Sequence, residues 1–255
     1  MGIPEGFKFA LRSRFPKTWN RMRVVQKGVQ LAPRLFGYYP RACNVCGFEG
    51  KFLAEIHFPD IFVYDAVCPQ CGSQSRNRLL MLAIAREQLV GPQDRMVHFA
   101  PERCITGKLR AIAREYTTAD LDPAGVDRQE NIEALSFADE SLDVVFCSHV
   151  LEHVDHRRAL AELHRVLVPG GRLLAFFPIV EGWDSDYENS QVNGGQLRGI
   201  HFGKDNHLRR FGRNVREAIA EAGFGLEDFT ADGETSVKYG LIPGEVLFVA
   251  TKPKA

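Results

Sequence analysis

Residues 131–178 read NIEALSFADESLDVVFCSHVLEHVDHRRALAELHRVLVPGGRLLAFFP, and the fold is decided here. Leu142-Asp143-Val144-Val145-Phe146 is a short, mostly apolar run, the pattern of a strand buried inside a sheet. Its carboxyl end delivers Cys147, Ser148 and His149. Residues 156–167 then form a helix, Pro169-Gly170-Gly171 stops it, and 172–180 is the next strand. A strand, a helix and a second strand in this order make a parallel pair, because parallel strands need a long crossover. Ligands in open α/β sheets bind outside the carboxyl ends of the strands, so the functional site is expected around Ser148 and His149.

The same alternation continues outward in both directions. Upstream, 76–89 reads as a helix that is apolar nearly all round, with Ser75 as its cap. Residues 95–99 form a strand, 109–115 a helix and 116–121 a second strand. Downstream, 213–222 is a helix ended by Gly223, and 245–251 is a last strand. The polar stretch 181–206 shows no clear periodicity, and its length is that of a functional lid rather than a connection. The whole of 76–255 is therefore expected to be one α/β domain with a mostly parallel sheet covered on both faces. A dinucleotide-binding enzyme would carry G-x-G-x-x-G after its first strand, and this chain has none there.

Residues 131–178 closely resemble the segment of class I S-adenosylmethionine-dependent methyltransferases of the type 11 group that reads as an acidic residue, then L-P-F, F-D-x-V, L-E-H and R-V-L-x-P-G-G; here L-S-F and L-D-V-V stand at the second and third elements. The resemblance extends from about residue 79 to the C-terminus. It implies a Rossmann-like, seven-stranded methyltransferase sheet and S-adenosylmethionine as cofactor. Carried over position by position, it makes Asp120 the acid that grips both ribose hydroxyls, with Asp122 in reserve. Asn131 takes the place of the acid near the adenine amino group, and Ile132 packs on the purine. The first loop of the family is rich in glycine, whereas this chain reads Val97-His98-Phe99-Ala100-Pro101-Glu102. There Ala100 stands in for the first glycine, and Glu102 either meets the cofactor's amino group or caps the next helix. His98 and Ser148 complete the expected cofactor side. His149 lies nearest the expected methyl acceptor, whereas Glu152 and His153 belong to the L-E-H pattern shared regardless of substrate and are read as structural. Residues 204–212 resemble the element whose Arg and Phe help close the site in many such enzymes. His201 and His207 flank the polar stretch as candidate general bases, and His149 and His207 are the chosen catalytic pair.

Ahead of this domain, residues 42–75 hold Cys43-Asn-Val-Cys46-Gly and Cys68-Pro-Gln-Cys71-Gly, two C-x-x-C-G pairs separated by 21 residues. Two thiolates three positions apart chelate one ion when the chain turns tightly, and the following glycine permits the positive φ of such a turn. Four sulfurs complete a tetrahedral zinc with no open position, so the expected site, a zinc knuckle, is structural. Disulfides are the competing reading, disfavoured by the repeated spacing and by an expected cytoplasmic location. Cys104 and Cys147 fit no such pattern.

The formal net charge of zero hides an uneven distribution. Residues 1–41 hold nine Lys or Arg against Glu5 alone, a charge of +8, which leaves −8 on the remainder. Within this basic arm Phe7, Leu11, Phe15, Trp19, Met22, Val25 and Val29 recur at intervals that fit one helix face, interrupted at Pro16. The arm suits a polyanion, either RNA or an anionic membrane surface; the plainer alternative is a helix packed on the body. No apolar run reaches the ~18–20 residues of a membrane span, and the N-terminus lacks the uninterrupted apolar stretch of a secretory signal. The expected function is methyl transfer from S-adenosylmethionine to an unidentified acceptor: a small molecule or glycan, or a base in RNA. The competing class is a zinc-knuckle module that binds a polyanion, its Rossmann-like domain binding the cofactor without catalysis.

Overall fold

Val144 and Val145 point to opposite faces of a strand and both are fully buried, so the sheet around them is covered on each side. We describe residues 15–57 and 61–254 from a computed structural model of the chain. The central strand β8 (Leu142–Ser148) runs parallel to β5 (Arg95–Phe99) on one side and β9 (Leu167–Phe176) on the other. Beyond β5 lie β6 (Glu115–Asp120) and the two-residue β7 (Arg128–Gln129). Beyond β9 lie the antiparallel β11 (Leu247–Thr251) and β10 (Gly225–Phe229). The sheet is seven-stranded in the order β10-β11-β9-β8-β5-β6-β7, as the Rossmann-like expectation required.

Alternation along the strands divides the core in two. Val97, Val145, Leu173 and Ala175 pack with Leu160 and Leu163 of α4 (His156–Val166) and with Ile219 of α6 (Val215–Glu221). Met96, Val144, Phe146 and Leu174 pack on the opposite face with Leu79 and Leu80 of α2 (Ser75–Glu87) and with Leu109 of α3 (Arg103–Ile112). Cys43, Val45, Phe52 and Cys68 join that second layer, so the knuckle shares its core with the sheet.

The knuckle's spacer is regular structure, with β1 (Pro40–Ala42) paired to β2 (Glu49–Lys51) and β3 (Leu53–His57) paired to β4 (Ile61–Val67). Arg78 fastens it to the body. This fully buried guanidinium donates to the carbonyls of Ser73 and Ala66 in the knuckle and of Tyr239 and Gly240 near the C-terminus, and it stacks on Phe52.

Several local expectations are corrected. Helix α3 starts at Arg103, not 109, because Ile105 and Leu109, one turn apart, are both driven into the core. Pro169-Gly170-Gly171 lies within β9 at a register shift against β8, so it is an irregularity of the strand and not the linker between helix and strand. A side chain at Gly171 would come within 2.9 Å of the Val168 carbonyl, which explains the glycine. Gln74 caps α2, exchanging bonds with Asn77, while the Ser75 hydroxyl accepts from the Ile242 amide. The polar stretch contains α5 (Gly195–Phe202), whose Phe202 is buried, and Tyr187 bridges to Arg210. Strand β10 and α7 (Gly233–Tyr239) were not expected at all. At the other end, α1 (Pro16–Leu31) leaves Met22, Val25 and Val29 exposed by 45, 66 and 71%, so it does not pack this stripe on the body. Residues 1–14, with Phe7 and Leu11 of the expected stripe, lie outside the described residues.

Candidate cofactor and acceptor site

The strands β5, β6 and β8 end on the same edge of the sheet, and a cleft of about 440 Å³ opens there. Ala100, Asp120, Asn131, Ile132 and His149 line it, together with Glu130, His153 and Asn206. Two of these residues hold unusual backbone. Ala100 has φ 49° and His149 φ 55°, the left-handed region that costs a residue with a Cβ roughly 1–2 kcal/mol. Each follows a buried strand directly, and the Ala100 amide donates to Ala119 O at 3.0 Å while that of His149 donates to Phe176 O at 2.8 Å. The sheet thus fixes both turns, bringing backbone close to the cleft at Ala100 and turning the His149 side chain into it.

On the β6 side, Asp120 sits at the strand end and its Oδ1 accepts the Asp122 amide at 3.1 Å. Asp122 is exposed and closes its own turn with Ala124 at 2.9 Å, and it does not line the cleft. The Asn131 side chain accepts the Glu133 amide at 3.0 Å, and Ile132 is buried beside it. Glu130 escaped the sequence reading. It is buried, accepts from Ser136 and pairs with Arg128 at 2.9 Å, which makes it a brace for the loop.

Three expected cofactor residues are set back from the cleft. His98 is fully buried, 2.7 Å from the Tyr116 hydroxyl and against Phe146. Glu102 pairs with Arg76 at 3.0 Å and lies 3.4 Å from His98, and its side chain makes no capping bond to α3. Burial raises the Glu102 pKa, but His98 and Arg76 outweigh it and hold the carboxyl below its ordinary value. Ser148 is buried beneath the strand end.

On the acceptor side, His149 Nδ1 lies 3.1 Å from Glu152 Oε1. Glu152 has no exposed surface; burial alone would raise its pKa, yet the His149 contact outweighs it and holds the carboxyl below its ordinary value. His207 does not reach a surface lid. It is buried behind this wall, its Nδ1 3.0 Å from Phe202 O and its Nε2 3.8 Å from Glu152. Burial pushes its pKa below the ordinary histidine value. His201 contacts the Tyr187 hydroxyl at 2.6 Å and is absent from the cleft lining. Arg209 donates to the carbonyls of Leu151 and Val154, clamping the turn that carries Glu152 and His153.

The knuckle sulfurs form a separate cluster. Cys43 and Cys71 are 3.7 Å apart, as are Cys46 and Cys68, and all four lie within 4.8 Å of one another. A tetrahedral ion with sulfurs at about 2.3 Å sets them about 3.8 Å apart, whereas a disulfide needs about 2.05 Å. Gly47 and Gly72 take φ 80° and 71°, closing the two turns as the C-x-x-C-G spacing demanded. The donor set is compatible with zinc, and the buried Arg78 guanidinium stands beside it, its Nη1 3.3 Å from the Ser73 hydroxyl that contacts Cys43 Sγ.

Known proteins resemble parts of this chain. A family profile described as "Methyltransferase domain" matches residues 81–175, from the second turn of α2 to β9. This segment therefore resembles a methyltransferase domain. Over 64 residues it is 44% identical to the ubiquinone/menaquinone biosynthesis C-methyltransferase UbiE of Klebsiella pneumoniae, 24% of this chain and 26% of that protein. Over 102 residues it is 36% identical to an uncharacterized 37.1 kDa protein in transposon TN4556 of Streptomyces fradiae, 38% of this chain and 28% of that one. The matches thus span only about a quarter of either relative. Among solved structures, the [4+2]-cyclase SpnF aligns with a TM-score of 0.53 and 17% identity over 91% of this chain and 96% of that one. The fold is therefore shared with a cyclase, and the reaction must be argued from the site.

Proposed function

We propose that the chain is an S-adenosylmethionine-dependent methyltransferase with its cofactor in the cleft outside β5, β6 and β8. The observation that carries this reading is the convergence of Ala100, Asp120, Ile132 and His149 on that cleft, inside a segment of the methyltransferase-domain family. When bound, S-adenosylmethionine supplies an electrophilic methyl carbon on sulfur. Asp120 offers two carboxylate oxygens to the paired ribose hydroxyls. Ile132 gives the purine an apolar floor, Asn131 meets its amino group, and Ala100 leaves room for the methionine part. His149 donates Nδ1–H to the ionised Glu152, which leaves Nε2 as the basic nitrogen facing an acceptor. The proton lost by an O–H or N–H acceptor passes to that nitrogen, and the buried carboxylate stabilises the imidazolium formed. The acceptor class, a small molecule or glycan or a base in RNA, is to be found by labelled-methyl transfer into fractionated extract. Calorimetry with S-adenosylmethionine and S-adenosylhomocysteine tests the core of the proposal: both should bind to a single site, and heat from neither would sink it. The four cysteines hold a structural zinc in this reading.

The arm is read as a membrane-surface element. The supporting observation is the exposed apolar face of α1, whose sequence holds two Lys, two Arg and no acid. An apolar face flanked by cations suits an anionic bilayer better than a groove for bases. In a Trp183→Phe background, Trp19 emission should shift blue with phosphatidylserine vesicles, and deletion of residues 1–41 should abolish sedimentation with them. Retention of RNA but not vesicles by the full chain would reverse this reading.

A further inference from the structure

Behind the acceptor wall, Glu152, His153 and His207 bring one carboxylate oxygen and two imidazole nitrogens within 4.8 Å of one another. Glu152 and His207 are 0 and 1% exposed. Each imidazole uses Nδ1 on a backbone carbonyl: His207 on Phe202 O at 3.0 Å, His153 on Asn206 O at 3.2 Å. A carbonyl only accepts, so Nδ1 carries the proton in both rings and Nε2 keeps its lone pair. That tautomer, locked by a backbone carbonyl, is how histidine is prepared for a metal. Glu152 divides its oxygens, Oε1 accepting from His149 while Oε2, like His207 Nε2, has no hydrogen-bond partner among the described residues. Leaving such buried atoms unmatched is costly, more so for a charged group. A single shared proton would match at most two of the three ligand atoms, whereas a divalent cation serves all of them.

We propose that Glu152, His153 and His207 form a second metal site, distinct from the cysteine cluster and taking a divalent transition ion such as zinc, cobalt or manganese. Two imidazoles and one carboxylate suit these ions and are a poor set for magnesium or calcium, which prefer all-oxygen shells. Three protein ligands leave a coordination position open, as in catalytic rather than structural centres. His153 belongs both to this cluster and to the cleft wall, so the ion borders the acceptor side and suits an acceptor bearing an oxygen ligand. Metal binding does not depend on the methyl-transfer reading; only this acceptor preference does.

The test uses the full chain with its cysteines loaded with zinc and excess metal removed. Added Co²⁺ should then produce visible ligand-field bands without the near-ultraviolet thiolate charge transfer that cobalt among cysteines would give. His153→Gln and His207→Gln should each lose those bands while keeping the first zinc. His153 is only partly buried, so its variant tests the site even where the His207 change disturbs folding. S-adenosylhomocysteine binding, measured on the same samples, separates failure of this site from failure of the cofactor reading. Absence of the bands in the unmodified chain, bands accompanied by thiolate charge transfer, or bands unchanged in His153→Gln would each overturn the proposal.

Discussion

Replacing Cys43 or Cys71 by serine should release one zinc per chain and unfold the knuckle. A structural zinc contributes roughly 10–16 kcal/mol of apparent binding energy in small peptides, and the two short hairpins bury few side chains of their own, Val45 and Phe52 among them. The loss should also reach the sheet. Cys43 and Cys68 are buried in the layer that contains Leu79, Leu80 and Met96, and Arg78 ties Ser73 and Ala66 to Tyr239 and Gly240. Without the thiolate cluster this buried guanidinium loses its counter-charge, so the Ser variants should melt well below the unmodified chain even in the segment 76–255. Zinc content by elemental analysis and a thermal melt read both effects. A reduced, unmodified chain without zinc would refute the assignment, and an unshifted melt would confine the knuckle's role to its own residues.

Asp120→Ala should weaken S-adenosylmethionine binding by at least ~10-fold. Hydrogen bonds to a charged group contribute about 1.5–3 kcal/mol each, and about 1.4 kcal/mol corresponds to a decade in affinity. Asp122→Ala should have far less effect, because that side chain is exposed and occupied with the Ala124 amide. Glu130→Gln is a useful contrast. It disturbs the brace to Ser136 and Arg128, so its effect should appear in stability as well as in affinity. Calorimetric titration of the three variants reads the order directly. A larger loss for Asp122→Ala than for Asp120→Ala would move the ribose contact two residues along the loop.

Residues with a periodic or paired pattern are legible in the sequence. The apolar run of β8, the alternation of strands with helices and the two C-x-x-C-G turns each encode a local requirement: burial on both faces, a crossover, a left-handed glycine. The family resemblance marked Asp120, Ile132 and Ala100, whereas His149 follows from the carboxyl end of β8. The reading was weakest where tertiary contacts overrode local preference. Strand β10, Gly225–Phe229, carries two acids and is mostly exposed, so nothing local distinguishes it from a loop; pairing with β11 makes it a strand. The start of α3 and the strand that contains Pro169-Gly170-Gly171 were misplaced for the same reason.

The sequence by itself determined the alternation of strands and helices about β8, the family resemblance of 131–178 and the two C-x-x-C-G turns, since each follows from spacing along a short segment. Only the tertiary structure decided which buried polar groups meet. His98 and Glu102 sit near Ala100 in the chain yet turn away to Arg76 and Tyr116. Glu152 and His207, more than fifty residues apart, come within 3.8 Å because Arg209 clamps the Leu151–His153 turn against its own segment. Spacing in sequence reports which face a side chain takes, whereas its partner across a layer is set by packing of elements that the chain joins only through long crossovers.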